Sequence, residues 1–153
     1  EGHLTEVQSL IKKKGLESDF EFRGFVQGKY KQDCFNSADV FILPTHSENF
    51  GIVVAEALVN ELPVITTSAA PWAEIEKHGC GWWVEPGIEG ISFAMIEAMA
   101  LDSCELKQMG CRGRKLIMEK YLWEKIGVSV KELNEWILDQ EQPTPKVVDL
   151  CDQ

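Results

Sequence analysis

Apolar residues recur at helical spacing at Leu4, Val7, Leu10 and Ile11, with Gly15 just beyond them, so the pattern predicts a chain that opens within a helix. The strand expected before that helix is missing. Residues 20–26 read as a strand and 29–37 as a helix. Residues 38–44 read as a buried strand, because Val40, Phe41, Ile42 and Leu43 are apolar on both faces. A helical pattern follows at 50–60, a third strand at 63–67, a short helix at 72–78 and a fourth strand at 81–84. Helices at 88–101, 105–120 and 123–138 complete the series. Strands that alternate with helices predict an α/β fold, an open parallel sheet with right-handed crossovers and helices on both faces. Ligands of such sheets sit beyond the carboxyl ends of the strands, which directs attention to the loops 44–50 and 68–72.

A length of 153 residues suits one domain with its own core, and 44% apolar and 26% charged residues are ordinary for a soluble globular protein. Fifteen basic residues against 25 acidic ones leave a formal charge of −10, which disfavours nucleic acid and anionic membranes as partners. The basic run Lys12, Lys13 and Lys14 ends a helical pattern, where cations complement the helix dipole. No apolar run is long enough to span a bilayer. Five scattered cysteines without a Cys-x-x-Cys pair indicate neither a disulfide framework nor a zinc site and fit a reducing cytoplasm. The start at Glu1, Gly2, His3, without Met or a signal segment, reads as a piece of something longer. The tail 139–153, acidic and with Pro143 and Pro145, reads as a disordered linker or frayed end.

The stretch from Pro44 to Leu58 carries the most chemistry. A buried strand runs out at Pro44, a polar loop follows, and a helix begins near Phe50 with its first N–H groups unpaired, which makes a phosphate site. Gly51 permits close backbone approach. An acidic domain can hold a diphosphate there because the positive potential comes from backbone donors and the helix dipole. Glu48 precedes the helix and Glu56 lies about 6 to 9 Å further along its axis, so two carboxylates bracket the site. Each can accept hydrogen bonds from vicinal hydroxyls, and a nucleotide sugar offers these on both sides of a diphosphate. A pair of glutamates at a helix start, taken alone, is more often just a surface feature favoured by the dipole.

The Glu48-x7-Glu56 pattern, the Phe50-Gly51 pair inside it and the strand end at Pro44 resemble the retaining GT-B glycosyltransferases of group 1. Further matches fall in the family's order: Gly24 with Val26, Ala38-Asp39-Val40, Leu62-Pro63-Val64-Ile65, Glu74-Ile75, Cys80 to Gly87 and Tyr121-Leu122-Trp123. The resemblance implies that residues 1–138 are the C-terminal, Rossmann-like, nucleotide-sugar-binding domain of such an enzyme. Glu48 and the backbone of Asn49, Phe50 and Gly51 would hold the transferred sugar, with Glu48 as the catalytic residue. The N–H groups of Gly51 and Ile52 would hold the diphosphate, Glu56 the ribose, and the backbone near Gly24 to Val26 the base. No metal or other cofactor is expected. The acceptor, a glycan or lipid, would bind an N-terminal domain, and the whole enzyme would be cytoplasmic or peripheral at the membrane and serve polysaccharide biosynthesis. The piece alone is expected to be inactive. The family's upstream Arg and Lys pair has no counterpart in this chain, and Ala69-Ala70-Pro71-Trp72 stands where a Gly-Gly loop is usual.

Other residues carry plainer readings. His46 reads as a solvated loop histidine and stays outside the catalytic set. Trp72 either stacks on a sugar or acceptor ring or serves as packing. Trp82 and Trp83 point to opposite faces of one strand, and Met95, Met99, Met109 and Met118 fill the core. Trp123, Ile126, Val130, Leu133 and Ile137 predict an amphipathic last helix with an exposed apolar strip. Two rival readings remain beside the transferase: a GT-B sugar-nucleotide isomerase or phosphorylase half, and a non-enzymatic flavodoxin-like binding module.

Overall fold

A computed structural model describes residues 3–139, 141 and 143–149. It divides into two compact units, Glu1–Asp33 and Cys34–Gln153. The first contains helix α1 (Leu4–Lys14), closed by Gly15 in the left-handed region with φ +66°, and a 3₁₀ turn at Glu17–Asp19. The strand expected at 20–26 does not form. Gly24 takes a φ of +62° there, which turns the chain out of an extended run. Among the described residues no strand pairs with this segment, and an unpaired strand leaves its N–H and C=O groups without ladder partners. Helix α2 (Gly28–Asn36) follows.

The second unit is built on three parallel strands in the order β1 (Phe41–Leu43), β2 (Val64–Thr67), β3 (Gly81–Val84). Phe41 stands opposite Val64, and Val64 opposite Gly81. The crossovers carry α3 (Ile52–Val59) and the short α4 (Glu74–Lys77). After the sheet come α5 (Ile88–Ala100), α6 (Ser103–Lys120) and α7 (Trp123–Leu138). Strand alternation sorts the core into two layers. Phe41, Leu43, Val64 and Trp83 pack with Val54, Ala57, Leu58, Leu116 and Ile117 of α3 and α6. Val40, Ile42, Ile65, Trp82 and Val84 pack with Ala94 and Ala98 of α5. The two tryptophans therefore face opposite sides, as their neighbouring strand positions require, and helices cover both faces.

Helix boundaries shift from the periodic pattern where caps intervene. α6 begins at Ser103 rather than 105 because the Asp102 carboxylate accepts from the Cys104 and Glu105 amides, both at 2.8 Å, while Glu105 accepts from the Asp102 amide. α6 reaches the turn after α3 closely at Gly110, where a β-carbon would meet the Glu61 carbonyl oxygen at 1.8 Å. Three methionines depart from core filling while Met109 is half-buried: Met99 is 74% exposed, and Met95 and Met118 are exposed too, because α5 buries its alanines Ala94 and Ala98 and α6 its face of Gly110, Gly113, Leu116 and Ile117 instead. α7 buries no residue and leaves Trp123, Val130 and Ile137 exposed. In the tail, a short helix α8 (Lys146–Asp149) contacts α7 where the sequence predicts no element. Cys151 and the end of the tail lie outside the described residues.

Candidate functional site

The loop after β1 is anchored from the end of β2. Thr66 Oγ1 donates to the Leu43 carbonyl at 3.1 Å and Thr67 Oγ1 to the Thr45 carbonyl at 2.5 Å. Both threonines are buried, so their hydroxyls satisfy carbonyls that leave the sheet ladder at Pro44. Thr45 Oγ1 then donates to the Ser47 carbonyl and accepts from the Ser47 amide, which closes a tight polar turn. The Glu48 amide donates to the Ala69 carbonyl at 3.2 Å. The two loops singled out by the open-sheet rule are thus tied together.

Beyond Glu48 the chain enters α3 through Gly51, whose φ of +74° and ψ of +59° lie in the left-handed region. That conformation starts the helix at Ile52 rather than at Phe50. No side chain caps it, and the Gly51, Ile52 and Val53 N–H groups have no acceptor among the described residues. One oxygen of Glu48 accepts from the Asn49 amide at 3.0 Å. Glu48 is half-buried. Glu56, also half-buried, is the fifth residue of α3, about 6 Å along the axis from Ile52. Glu48, Asn49, Phe50, Gly51 and Ile52 are therefore gathered in one turn, with Glu56 on the helix that follows. Gly24 and Val26 belong to the amino-terminal unit and are not among the residues that the second unit gathers here.

Trp72 is wholly buried, which resolves its two readings in favour of packing. Its Nε1 donates to the Phe50 carbonyl at 2.5 Å. The Phe50, Trp72 and Tyr121 rings cluster with centroids 5.2 to 5.9 Å apart. Tyr121 in turn donates its hydroxyl to Glu74 at 2.6 Å, and Lys120 pairs with the same carboxylate. Burial raises the Tyr121 pKa, and the Glu74 hydrogen bond and charge raise it further, so the phenol stays a donor. The sequence signal for Tyr121 was its place in Tyr121-Leu122-Trp123. That for Thr66 and Thr67 was a pair of hydroxyls ending an apolar strand. The Ala69 to Trp72 loop needs no glycine: the one non-glycine with positive φ among the described residues is Glu61.

Beside the Thr45 turn lies a cleft of about 300 Å³, walled by Pro44, Thr45, His46, Thr67, Gly87, Ile88, Ile91 and Ser92. It opens at the carboxyl ends of β1 and β2, and His46 stands in its wall. Among the described residues, no group of three or more His, Cys, Asp or Glu side chains is placed to hold a metal ion, and no helix is long and apolar enough to cross a membrane.

Residues 1–116 match the profile of glycosyl transferases group 1. The chain belongs to that family. Among its relatives, the uncharacterized glycosyltransferase MJ1607 of Methanocaldococcus jannaschii is 31% identical over 122 residues, covering 78% of this chain and 31% of that protein. The 2-deoxystreptamine N-acetyl-D-glucosaminyltransferase of Niallia circulans is 28% identical over 118 residues, covering 76% of this chain and 30% of that protein. The chain spans about a third of the length of these curated relatives. Its fold is that of GT-B glycosyltransferase structures. Sucrose-phosphate synthase from Thermosynechococcus elongatus aligns with a TM-score of 0.75 at 22% identity, over 88% of this chain and 34% of that one. The C-terminal domain of a glycosyl transferase group 1 family protein (LpcC) from Francisella tularensis aligns with a TM-score of 0.65 at 26% identity, over 78% of this chain and 62% of that one.

Proposed function

We propose that this chain is the donor-binding, C-terminal half of a retaining glycosyltransferase, which moves a sugar from a nucleoside diphosphate to an acceptor hydroxyl. The observation that carries this reading is the start of α3. The N–H groups of Gly51, Ile52 and Val53, without acceptors among the described residues and set by a left-handed glycine, lie between two half-buried carboxylates. The N–H groups and the helix dipole favour a diphosphate. Glu48 accepts from hydroxyls of the transferred sugar and Glu56 from the ribose. The alignment with a domain described as C-terminal in its own protein supports the same assignment.

Catalysis in this scheme is electrostatic. As the bond between the sugar and the diphosphate breaks, negative charge grows on the departing oxygens, and donors already aimed at them stabilise it without reorganisation. Glu48 holds the sugar so that the acceptor oxygen attacks from the face the diphosphate leaves, which retains configuration. The scheme needs no metal. The acceptor, a glycan or lipid, binds a further domain, and the assembled enzyme works in the cytoplasm or at its membrane face.

Calorimetric titration of two variants tests the division of labour. Glu56→Ala weakens the nucleoside diphosphate and the nucleotide sugar alike, by about ten- to a hundredfold, the worth of a charge-assisted hydrogen bond. Glu48→Ala weakens the nucleotide sugar while leaving the bare diphosphate nearly untouched. Equal effects of both variants on both ligands, or none, would return the two glutamates to the role of surface acids.

A further inference from the structure

The Phe50–Gly51 peptide is held from behind by the side chain of Trp72. Its carbonyl accepts from Trp72 Nε1 at 2.5 Å, and the indole is fully buried. Because the peptide is planar and trans, its N–H points opposite to its C=O. Holding the Phe50 oxygen on the indole therefore turns the Gly51 N–H away from it. Glycine accepts either sign of φ at little cost, so residue 51 does not by itself choose between the two faces of that peptide. The Trp72 bond makes the choice. Tyr121 backs the indole with its ring centroid 5.2 Å away and is itself pinned to Glu74 by its hydroxyl at 2.6 Å. Glu74 is fixed by Lys120, the last residue of α6.

We propose that Trp72 is a positioning residue of the donor site, which aims the Gly51 N–H at the diphosphate, and that Tyr121 and Glu74 hold the indole in place. This rests on the donor-site reading above, and it assigns sensitivity to one part of the ligand. A variant without the indole N–H loses diphosphate affinity, while the nucleoside end, bound elsewhere, is unaffected. A side chain that merely fills the core would show no such split.

The test replaces Trp72 in the 153-residue chain in two ways: Trp72→Phe, and its benzothienyl isostere, which keeps ring size and packing but has sulfur in place of N–H. Tyr121→Phe, which keeps the ring and loses the hydroxyl, is the third variant. Each is titrated with UDP and GDP by calorimetry and with uridine and guanosine by NMR, alongside thermal unfolding. The expected result is about a tenfold loss of diphosphate affinity for the isostere, the worth of one hydrogen bond, with nucleoside affinity unchanged and a smaller loss for Tyr121→Phe. Equal diphosphate affinity in wild type and isostere would overturn the positioning role and leave the donor site standing. Parallel losses for diphosphate and nucleoside would reduce Trp72 to packing. If neither diphosphate binds the wild-type chain, the donor-site reading falls and the positioning role with it.

Discussion

A β-carbon on Gly51 would stand 3.2 Å from Glu48 Cγ and 3.4 Å from Trp72 Nε1. The absent side chain is thus what lets the candidate sugar-binding carboxylate and the indole approach the same turn. Gly51→Ala meets two penalties: the left-handed backbone, about 1–2 kcal/mol for a residue with a β-carbon, and crowding against Glu48. The expected loss of about 2 kcal/mol in stability is read from the denaturant midpoint at unchanged slope. Nucleotide-sugar affinity falls with it. A variant of native stability would show that the turn tolerates another conformation.

Acid should weaken this unit through Glu74. Burial pushes its pKa up, but hydrogen bonds from Lys120 and Tyr121 and the charges of Lys120 and His78 outweigh that, and the net shift is below its ordinary 4.5. A carboxylate with a depressed folded-state pKa contributes stability that is present above the unfolded value and lost as pH falls through the folded one. Stability should therefore drop below about pH 4.5, and Glu74→Gln should flatten that part of the curve while lowering stability at neutral pH. Urea unfolding at a series of pH values measures this, and an unchanged acid limb in the variant would place the titrating group elsewhere.

Cys80 should be inert in the folded protein. Its thiol is fully buried at the start of β3 and donates to the Ile75 carbonyl, and burial pushes its pKa up to about 11. Cys104 and Cys111 are exposed on α6. Brief iodoacetamide treatment at neutral pH, followed by peptide mapping, should label Cys104 and Cys111 and reach Cys80 only after denaturation. Labelling of Cys80 under native conditions would mean that the end of α4 opens readily.

Much of the architecture was legible in the chain because it rests on local rules. The short apolar runs at 38–44 and 81–84 and the period near 3.6 at 88–101 and 123–138 need no knowledge of the fold, and Pro44 and Gly51 punctuate a strand end and a helix start by their own backbone chemistry. The parallel sheet followed from strands that alternate with helices. The strand expected at 20–26 failed because a strand is a property of two neighbours. Its apolar alternation was real, yet Gly24 turns the chain and no described partner receives its hydrogen bonds. The methionines of α5 misled for a related reason: apolar character does not say which face of a helix meets the sheet.

What the sequence by itself determined is the order of elements from 29 to 138 and the Glu48 to Glu56 spacing around a helix start, since these follow from neighbours a few residues apart. Only the tertiary structure decided how that start is held. The Thr67 hydroxyl meets the Thr45 carbonyl and the Trp72 indole meets the Phe50 carbonyl, each across 22 positions, and Tyr121 reaches Glu74 across 47. Such contacts arise when packed layers bring distant segments together and buried polar groups must find partners. No periodicity along the chain encodes which partner that will be.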